Sequence, residues 1–363
     1  MPQLTRLFTP WKLCGFPIAN RICVPPLVIY TWGDESGCVT EKHLAHYRAL
    51  AAGGAGLVIQ EATAVSPAGR LTLDQLGIWA DEQIDGLRRI AATLHDAGMP
   101  AIVQLSHAGA MGAKPAYRAS PSGTPAGAGG VRESRALTAD ELRAIEQQFI
   151  DAAQRAVRAG YDGVELHASH GYLLSECMNP AVNRRTDTFR ADGLPVLQHI
   201  IQGIRAVTPP GFVLGVRMGA FEPDIAAGIR NAKQLEAWGV DFLDVFLGCD
   251  WVAQIERPAG YPFTASIYGA KRIREAVSLP VFAVHQISSG AQAEAVLADT
   301  GAAMAVIGRG SLVNYQWGND VKAGRDPGHC LNCSVCRWKT APDTCPGRML
   351  LDQKRRQARQ DET

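Results

Sequence analysis

The feature that most restricts the fold of this chain is its regular alternation of short, apolar, β-branched runs with longer amphipathic stretches. Eight runs read as strands: Ile22–Val28, Gly56–Glu61, Pro100–Leu105, Asp162–His167, Val213–Arg217, Asp241–Val245, Pro280–Val284 and Ala303–Gly308. Between them, Glu82–Ala97, Ala139–Ala159 and Gly290–Asp299 carry a helical period. The second of these opens after Leu137-Thr138 and ahead of Asp140 and Glu141, which is a capping pattern. Glycine recurs where a helix must stop before a buried strand: at 52–56, 97–100, 159–163, 238–241 and 300–303. Strands that are apolar throughout belong to parallel sheets covered on both faces. The pattern therefore predicts an α/β chain folded as a closed (β/α)8 TIM barrel. The competing arrangement, an open doubly wound sheet, would show Gly-x-Gly-x-x-Gly after an early strand, and none follows the first two.

Composition narrows the function. Thirty-six basic and 35 acidic side chains leave a net charge of +1 over 363 residues, which argues against binding nucleic acid by counterion release. Apolar runs fall short of the roughly 18 residues a membrane span needs, and Met1–Leu13 lacks the pattern of a secretory leader. A cytoplasmic protein with no nucleic-acid or membrane partner is expected. The barrel should occupy 1–317, leaving 318–363 as a C-terminal extension. Of nine cysteines, four (Cys330, Cys333, Cys336 and Cys345) crowd into that extension, which does not read as a secreted disulfide framework.

In a barrel of this kind the chemistry lies at the C-terminal ends of the strands. Polar residues cluster there: Gln104 and His107 after the third strand, His167, His170 and Tyr172 after the fourth, and Arg217 after the fifth. The two histidines read as capping or core residues, as metal ligands, or as a pair of N–H donors to one substrate oxygen with the Tyr172 hydroxyl as proton donor. Gln104 and Arg217 together suit a flat heterocycle, the amide reading a pyrimidine edge and the guanidinium stabilising negative charge on it. Gly308-Arg309-Gly310 follows the eighth strand, where barrels often bind phosphate. No lysine falls at a strand end, so a Schiff-base aldolase is not expected. Cys177, with no activating partner in the sequence, reads as a buried structural thiol. The segment Ala108–Arg135, rich in Gly, Pro, Ala and Ser, reads as a functional loop or lid.

The run His167-Ala-Ser-His-Gly-Tyr-Leu-Leu174, followed by Asn179-Pro180 and Asn183-Arg-Arg-Thr-Asp187, resembles the old yellow enzyme family of FMN-dependent ene-reductases. So do Asn20-Arg21, Pro25-Pro-Leu27, Glu61-Ala-Thr-Ala-Val65, Gln104-Leu-Ser-His107, Ala159–His167 and Ile307-Gly-Arg309, in order from about Leu4 to Trp317. The resemblance implies that Pro25, Pro26, Leu27 and Val28 line FMN near Ala62, that Gln104 meets its pyrimidine side, and that Arg217 faces its N1 and C2 carbonyl region. Gly308 and Arg309 would hold the phosphate. His167 and His170 would bind the oxygen of an activated alkene, Tyr172 would protonate it, and Tyr30 would help close the pocket. NADH or NADPH would be the reductant, an unsaturated carbonyl or nitro compound the substrate, and self-association is common in such relatives. Four departures stand out. Ala110-Met111 replaces a frequent basic residue, His285-Gln286 replaces a glycine pair near the phosphate, Val28 replaces a Thr or Cys, and Thr188–Asp192 replaces a Tyr-Gly-Gly-Ser stretch.

The spacing Cys330-x2-Cys333-x2-Cys336-x8-Cys345 falls in the range of a metal site. It resembles the iron–sulfur segment of dienoyl-CoA reductases and amine dehydrogenases, whose further flavin and nucleotide domains are not present up to Thr363. A 4Fe-4S cluster, a zinc ion and free thiols stay open as readings. With them stay two alternative functions, an iron–sulfur flavoenzyme acting on dienoyl thioesters or amines and a non-catalytic flavin-binding protein.

Overall fold

A computed structural model describes residues 4–124, 132–249 and 252–361. Eight strands close into a barrel: β1 (Ile22–Val24), β2 (Leu57–Ala64), β3 (Ile102–Ser106), β4 (Gly163–Ala168), β5 (Val213–Phe221), β6 (Phe242–Gly248), β7 (Val281–Val284) and β8 (Met304–Val306). Each lies parallel to the next, and β8 returns to β1 through Ala305 opposite Ile22 and Val306 opposite Cys23. All eight expected strands are present, and the closed ring rules out the doubly wound sheet. The largest boundary differences are at β1 and β5; β1, expected to reach Val28, ends at Val24. Pro25 and Pro26 have no N–H to give the ladder, so pairing stops there. β5 instead runs past Arg217 to Phe221, every residue buried.

Helices α1 (Glu41–Ala51), α2 (Ile84–Asp96), α3 (Ala139–Arg158), α4 (Pro195–Val207), α5 (Ile225–Ala237), α6 (Ala265–Arg274) and α7 (Gly290–Thr300) surround the barrel. The starts of α3, α5, α6 and α7 are set by side-chain oxygens that satisfy N–H groups the first turn leaves unpaired. Thr138 accepts from the Glu141 N–H, and the Glu141 carboxylate accepts from the Thr138 N–H. Asp224, Thr264 and Ser289 cap α5, α6 and α7 in the same way. At the other end, Gly160 and Gly301 take φ of +87° and +63°, turning the chain out of α3 and α7 toward the next strand.

The main core fills the space between strands and helices, with Phe149, Ile200 and Leu235 fully buried. A second core lies inside the N-terminal end of the barrel. There an antiparallel hairpin, Trp11–Leu13 with Phe16–Ile18, closes over Phe242 and Phe282, whose rings stack at 4.7 Å. The sequence reading did not include this hairpin, because three-residue strands are too short to show a period. Within Ala108–Arg135, short turns at Gly109–Met111 and Pro115–Tyr117 precede a pairing of Ala119–Ser120 with Arg135–Ala136. Residues 125–131 of that segment lie outside the described residues.

After β8, α8 (Arg309–Val313) and α9 (Trp317–Lys322) stay on the barrel, with the Asn319 N–H donating to the Gly53 carbonyl at 3.1 Å. The chain then crosses to the C-terminal end of the barrel and finishes in α10 (Pro346–Asp361). A third, smaller core of Ile29, Leu312, Val313, Trp338, Cys345 and Leu351 fastens this extension. Among the described residues no helix is long and apolar enough to cross a membrane.

Candidate active site

One cavity of about 820 Å³ opens at the C-terminal end of the strands. Its wall begins with Pro25, Pro26, Leu27 and Val28, the segment released from the ladder by its prolines, and continues through Tyr30 and Ala62. The segment is fixed from behind by buried Glu61, which accepts from the Ile29 N–H at 2.8 Å and from the Tyr47 hydroxyl at 3.3 Å. Gln104, His167, His170, Tyr172 and Arg217 line the floor, and Gly308 and Arg309 the far side. Every residue expected to bind cofactor or substrate therefore faces one space, although they come from six different strand ends and loops.

The floor is polar and incompletely satisfied. Gln104 donates from Nε2 to Glu165 Oε1 at 2.6 Å, which leaves its own Oε1 buried without a partner. Arg217 Nε lies 3.3 Å from Asp244 Oδ2 but makes no aligned hydrogen bond. His167 Nδ1 and His285 Nδ1 are likewise buried and unpaired. Buried polar atoms are rarely left so, and several converging on one cavity mark a place built for a polar ligand. A flat heterocycle with an N–H flanked by carbonyls matches an amide oxygen beside a guanidinium. The volume is of the order an FMN-sized molecule needs, and Arg309, with no ion-pair partner among the described residues, lines the far side.

His167 and His170 meet at 3.0 Å between Nε2 and Nδ1, one N–H donating to the other ring. Burial and the Arg217 charge hold both imidazoles well below their usual pKa, so they are neutral at pH 7. Each then carries a single N–H, and in the mutual bond one facing nitrogen donates while the other accepts, so the accepting ring must move its proton to the facing nitrogen before both can point an N–H at one oxygen. Gripping a shared oxygen requires this mutual bond to open. His170 holds φ +61°, an uncommon conformation for a residue with a side chain, which turns its ring into the cavity. Tyr172 packs edge-on to His167 at 4.9 Å. Burial, then the neighbouring Tyr30, push its phenol up to about 12, so it keeps its proton.

Several lining residues escaped the sequence reading, Phe246 and Trp338 among them. Phe246, the residue after the last one assigned to the sixth strand, stacks on His170 at 4.4 Å and takes the edge of His285 at 5.3 Å. The strand-end rule applied one residue further along would have found it. Trp338 had no such signal, because only the folding back of the extension brings it, with His329 and Asn332, to the cavity. His285 and Gln286 hold φ of +116° and +57°, so the backbone keeps a glycine-like course although both residues carry side chains.

The four clustered cysteines are not brought together. Cys330 and Cys336 line the cavity, Cys333 is exposed, and Cys345 is buried in the small core with Trp338 and Leu351. Among the described residues no group of three or more His, Cys, Asp or Glu is placed to hold a metal ion. The donor set in this arrangement does not fit a cluster or a zinc ion, because apolar packing takes up Cys345 at the start of α10 while Cys333 faces solvent.

Residues 6–327 match the model of the NADH:flavin oxidoreductase / NADH oxidase family. The NADPH dehydrogenase of Geobacillus sp. (strain WCH70) is 33% identical over 341 residues, covering 91% of this chain and 97% of that protein. Among solved structures, the old yellow enzyme homologue of Zymomonas mobilis superposes with a TM-score of 0.73 at 26% identity, over 88% of this chain and 92% of that one. A 2-naphthoyl-CoA reductase bound to 2-naphthoyl-CoA reaches a TM-score of 0.80 at 21% identity, a likeness of fold alone. The match takes in 89% of this chain but only 53% of that longer one.

Proposed function

The chain belongs to the NADH:flavin oxidoreductase / NADH oxidase family, the old yellow enzymes, as an FMN-dependent oxidoreductase, and from that premise we propose that it reduces an activated C=C bond. The substrate class is a small unsaturated carbonyl or nitro compound. The observation that carries this reading is the convergence of His167 Nε2 and His170 Nδ1 beside the Tyr172 phenol, in the same cavity as the unpaired Gln104 and Arg217 atoms.

FMN would be held by Gln104 and Arg217 at its pyrimidine side, by the Pro25–Val28 segment and Ala62 along the ring, and by Gly308 and Arg309 at the phosphate. When bound, it supplies hydride taken from NADH or NADPH. The residues of the chain do the rest. Two neutral imidazole N–H groups on the substrate oxygen draw electron density away from the β-carbon and stabilise the negative charge that builds on the oxygen. Tyr172, still protonated at neutral pH, gives its proton to the α-carbon. Tyr30 and Tyr172 wall the pocket against water, which favours these interactions over solvation.

Purification with FMN tests the reading, followed by stopped-flow reduction with each nicotinamide and a panel of enones, nitroalkenes and enoyl thioesters. Yellow protein that turns over enones or nitroalkenes supports it. Colourless protein that cannot be reconstituted with FMN removes it, and turnover confined to dienoyl thioesters or amines replaces it with the reading of an enzyme for those substrates.

A further inference from the structure

Beneath the cavity floor lies a layer of buried charge that this account of the chemistry leaves unused. Glu165 on β4 stands opposite Gln104 on β3 in the strand register, and Asp244 on β6 stands opposite Arg217 on β5. Glu165 and Asp244 are both fully buried. Glu165 accepts from Gln104 Nε2 through Oε1, while its Oε2 and both Asp244 oxygens have no hydrogen-bond partner. The titratable and charged groups facing Glu165 are Cys23 from β1, Arg217 from β5 and Asp244 from β6. One cation among two carboxyls cannot balance both as anions in a dry interior. Burial, then repulsion by Asp244, push Glu165 up to about 8, while burial also raises Asp244 and the adjacent Arg217 charge works against that rise.

The geometry points to Glu165 as a positioning residue that sets which end of the Gln104 amide meets the cofactor, with Asp244 holding the Arg217 guanidinium beside it. An amide has a donor end and an acceptor end of nearly the same shape, and a flat ring cannot choose between them by sterics. By accepting from Nε2 through its Oε1, with the proton of the neutral acid on the unpartnered Oε2, Glu165 turns the Gln104 Oε1 upward as an acceptor for the N3–H of a flavin pyrimidine. The neighbouring guanidinium offers donors to the adjoining carbonyl. The pair thus reads an imide edge, and the carboxyl beneath makes that reading directional. The inference rests on the flavin reading of the cavity and adds to it a residue that need not touch the cofactor.

The test compares the affinity of apoprotein for FMN and for FMN methylated at N3, in the wild type, Glu165→Leu and Glu165→Gln, with thermal unfolding measured for each. The wild type should discriminate against the methylated flavin. Glu165→Leu should weaken FMN about tenfold and lose most of that discrimination, because the freed amide can present either end. Glu165→Gln should restore both, since its amide oxygen can still accept from Nε2. Equal weakening of both flavins in Glu165→Leu, or unchanged discrimination, overturns the proposal by reducing Glu165 to a packing residue. If Glu165→Leu does not fold, the flavin midpoint potential is followed from pH 7 to 10 in the wild type and Glu165→Gln. A steeper decline above about pH 8 in the wild type alone supports the layer, and identical slopes overturn it. Failure of the wild type to bind FMN at all is a different result, which removes the flavin reading instead.

Discussion

At the N-terminal end of the barrel, Leu13 and Ile18 close over Val213, Phe242 and Phe282 in an apolar plug, whereas the C-terminal end holds Gln104 Oε1, Arg217 Nε and His167 Nδ1 buried without partners. The same eight strands supply both ends. What differs is how the chain continues beyond each. The plug is made by a hairpin that precedes β1, and it gains stability from packing. The mouth is made by the loops that follow the strands, and it gives up stability in unpaired polar atoms and in the left-handed backbone of His170, His285 and Gln286. A fold that separates these tasks can keep a rigid frame under a site that is not at its own energy minimum.

This contrast can be attacked from either end. The largest stability effect is expected from Phe282→Ala, which removes the ring stacked on Phe242 and met edge-on by Trp11. Urea unfolding should show a loss of about 3–5 kcal/mol, with FMN affinity changed by less than about threefold in protein that remains folded. A large loss of flavin affinity would show that plug and mouth are not independent.

At the mouth, Tyr172→Phe should lower alkene reduction about a hundredfold or more while leaving reduction of the flavin by NAD(P)H intact. Its unfolding free energy should move by no more than about 0.5 kcal/mol. Because the Tyr172 phenol is pushed up to about 12, its proton-bearing form persists throughout neutral and mildly alkaline solution. The alkene half-reaction in the wild type should therefore show no alkaline limb assignable to Tyr172 below about pH 10. A limb at lower pH that Tyr172→Phe abolishes would mean that the site does not hold the phenol as described.

A smaller effect of opposite sign is expected from His285→Gly. Relieving a side chain held at φ +116° should raise stability by about 1 kcal/mol, measured as a shift in the urea midpoint. A loss of stability would show that the contact of His285 with Phe246 outweighs the strain.

Thiol labelling under native conditions probes the extension, which folds back over the C-terminal end. Cys333 and Cys336 are exposed and should react readily, whereas Cys23, Cys177, Cys249 and Cys345 are buried and should be protected. Cys14 should lag although exposed, since burial of the thiol and then Asp241 push it up to about 11. Protection of Cys333 and Cys336 together with stoichiometric iron and sulfide, or zinc, in anaerobically purified protein would require the extension to adopt a different arrangement around a metal.

The barrel was legible in the sequence because its signals are local and repeated. Apolar runs such as Val281–Val284 must be buried, and Thr138 marks a helix start within a few residues. The candidate site was legible through the strand-end rule, which selected Gln104, His167, His170, Tyr172 and Arg217 without knowledge of their distances. Other features had no local signal. The hairpin at Trp11–Ile18 is too short for a period, Trp338 reaches the cavity only through the course of the extension, and the cysteine spacing describes separation along the chain, not in space.

The sequence by itself determined the fold class, the order of the strands and the kinds of side chain that gather at the mouth, because burial, capping and turn formation act over a few residues at a time. Only the tertiary structure decided which way those side chains point. The Gln104 amide donates to a carboxyl group 61 positions away, the two histidines converge because His170 takes a left-handed backbone, and the cysteines part because Cys345 is drawn into an apolar core. Orientation depends on partners across the barrel, and those partners meet only when the ring of strands has closed.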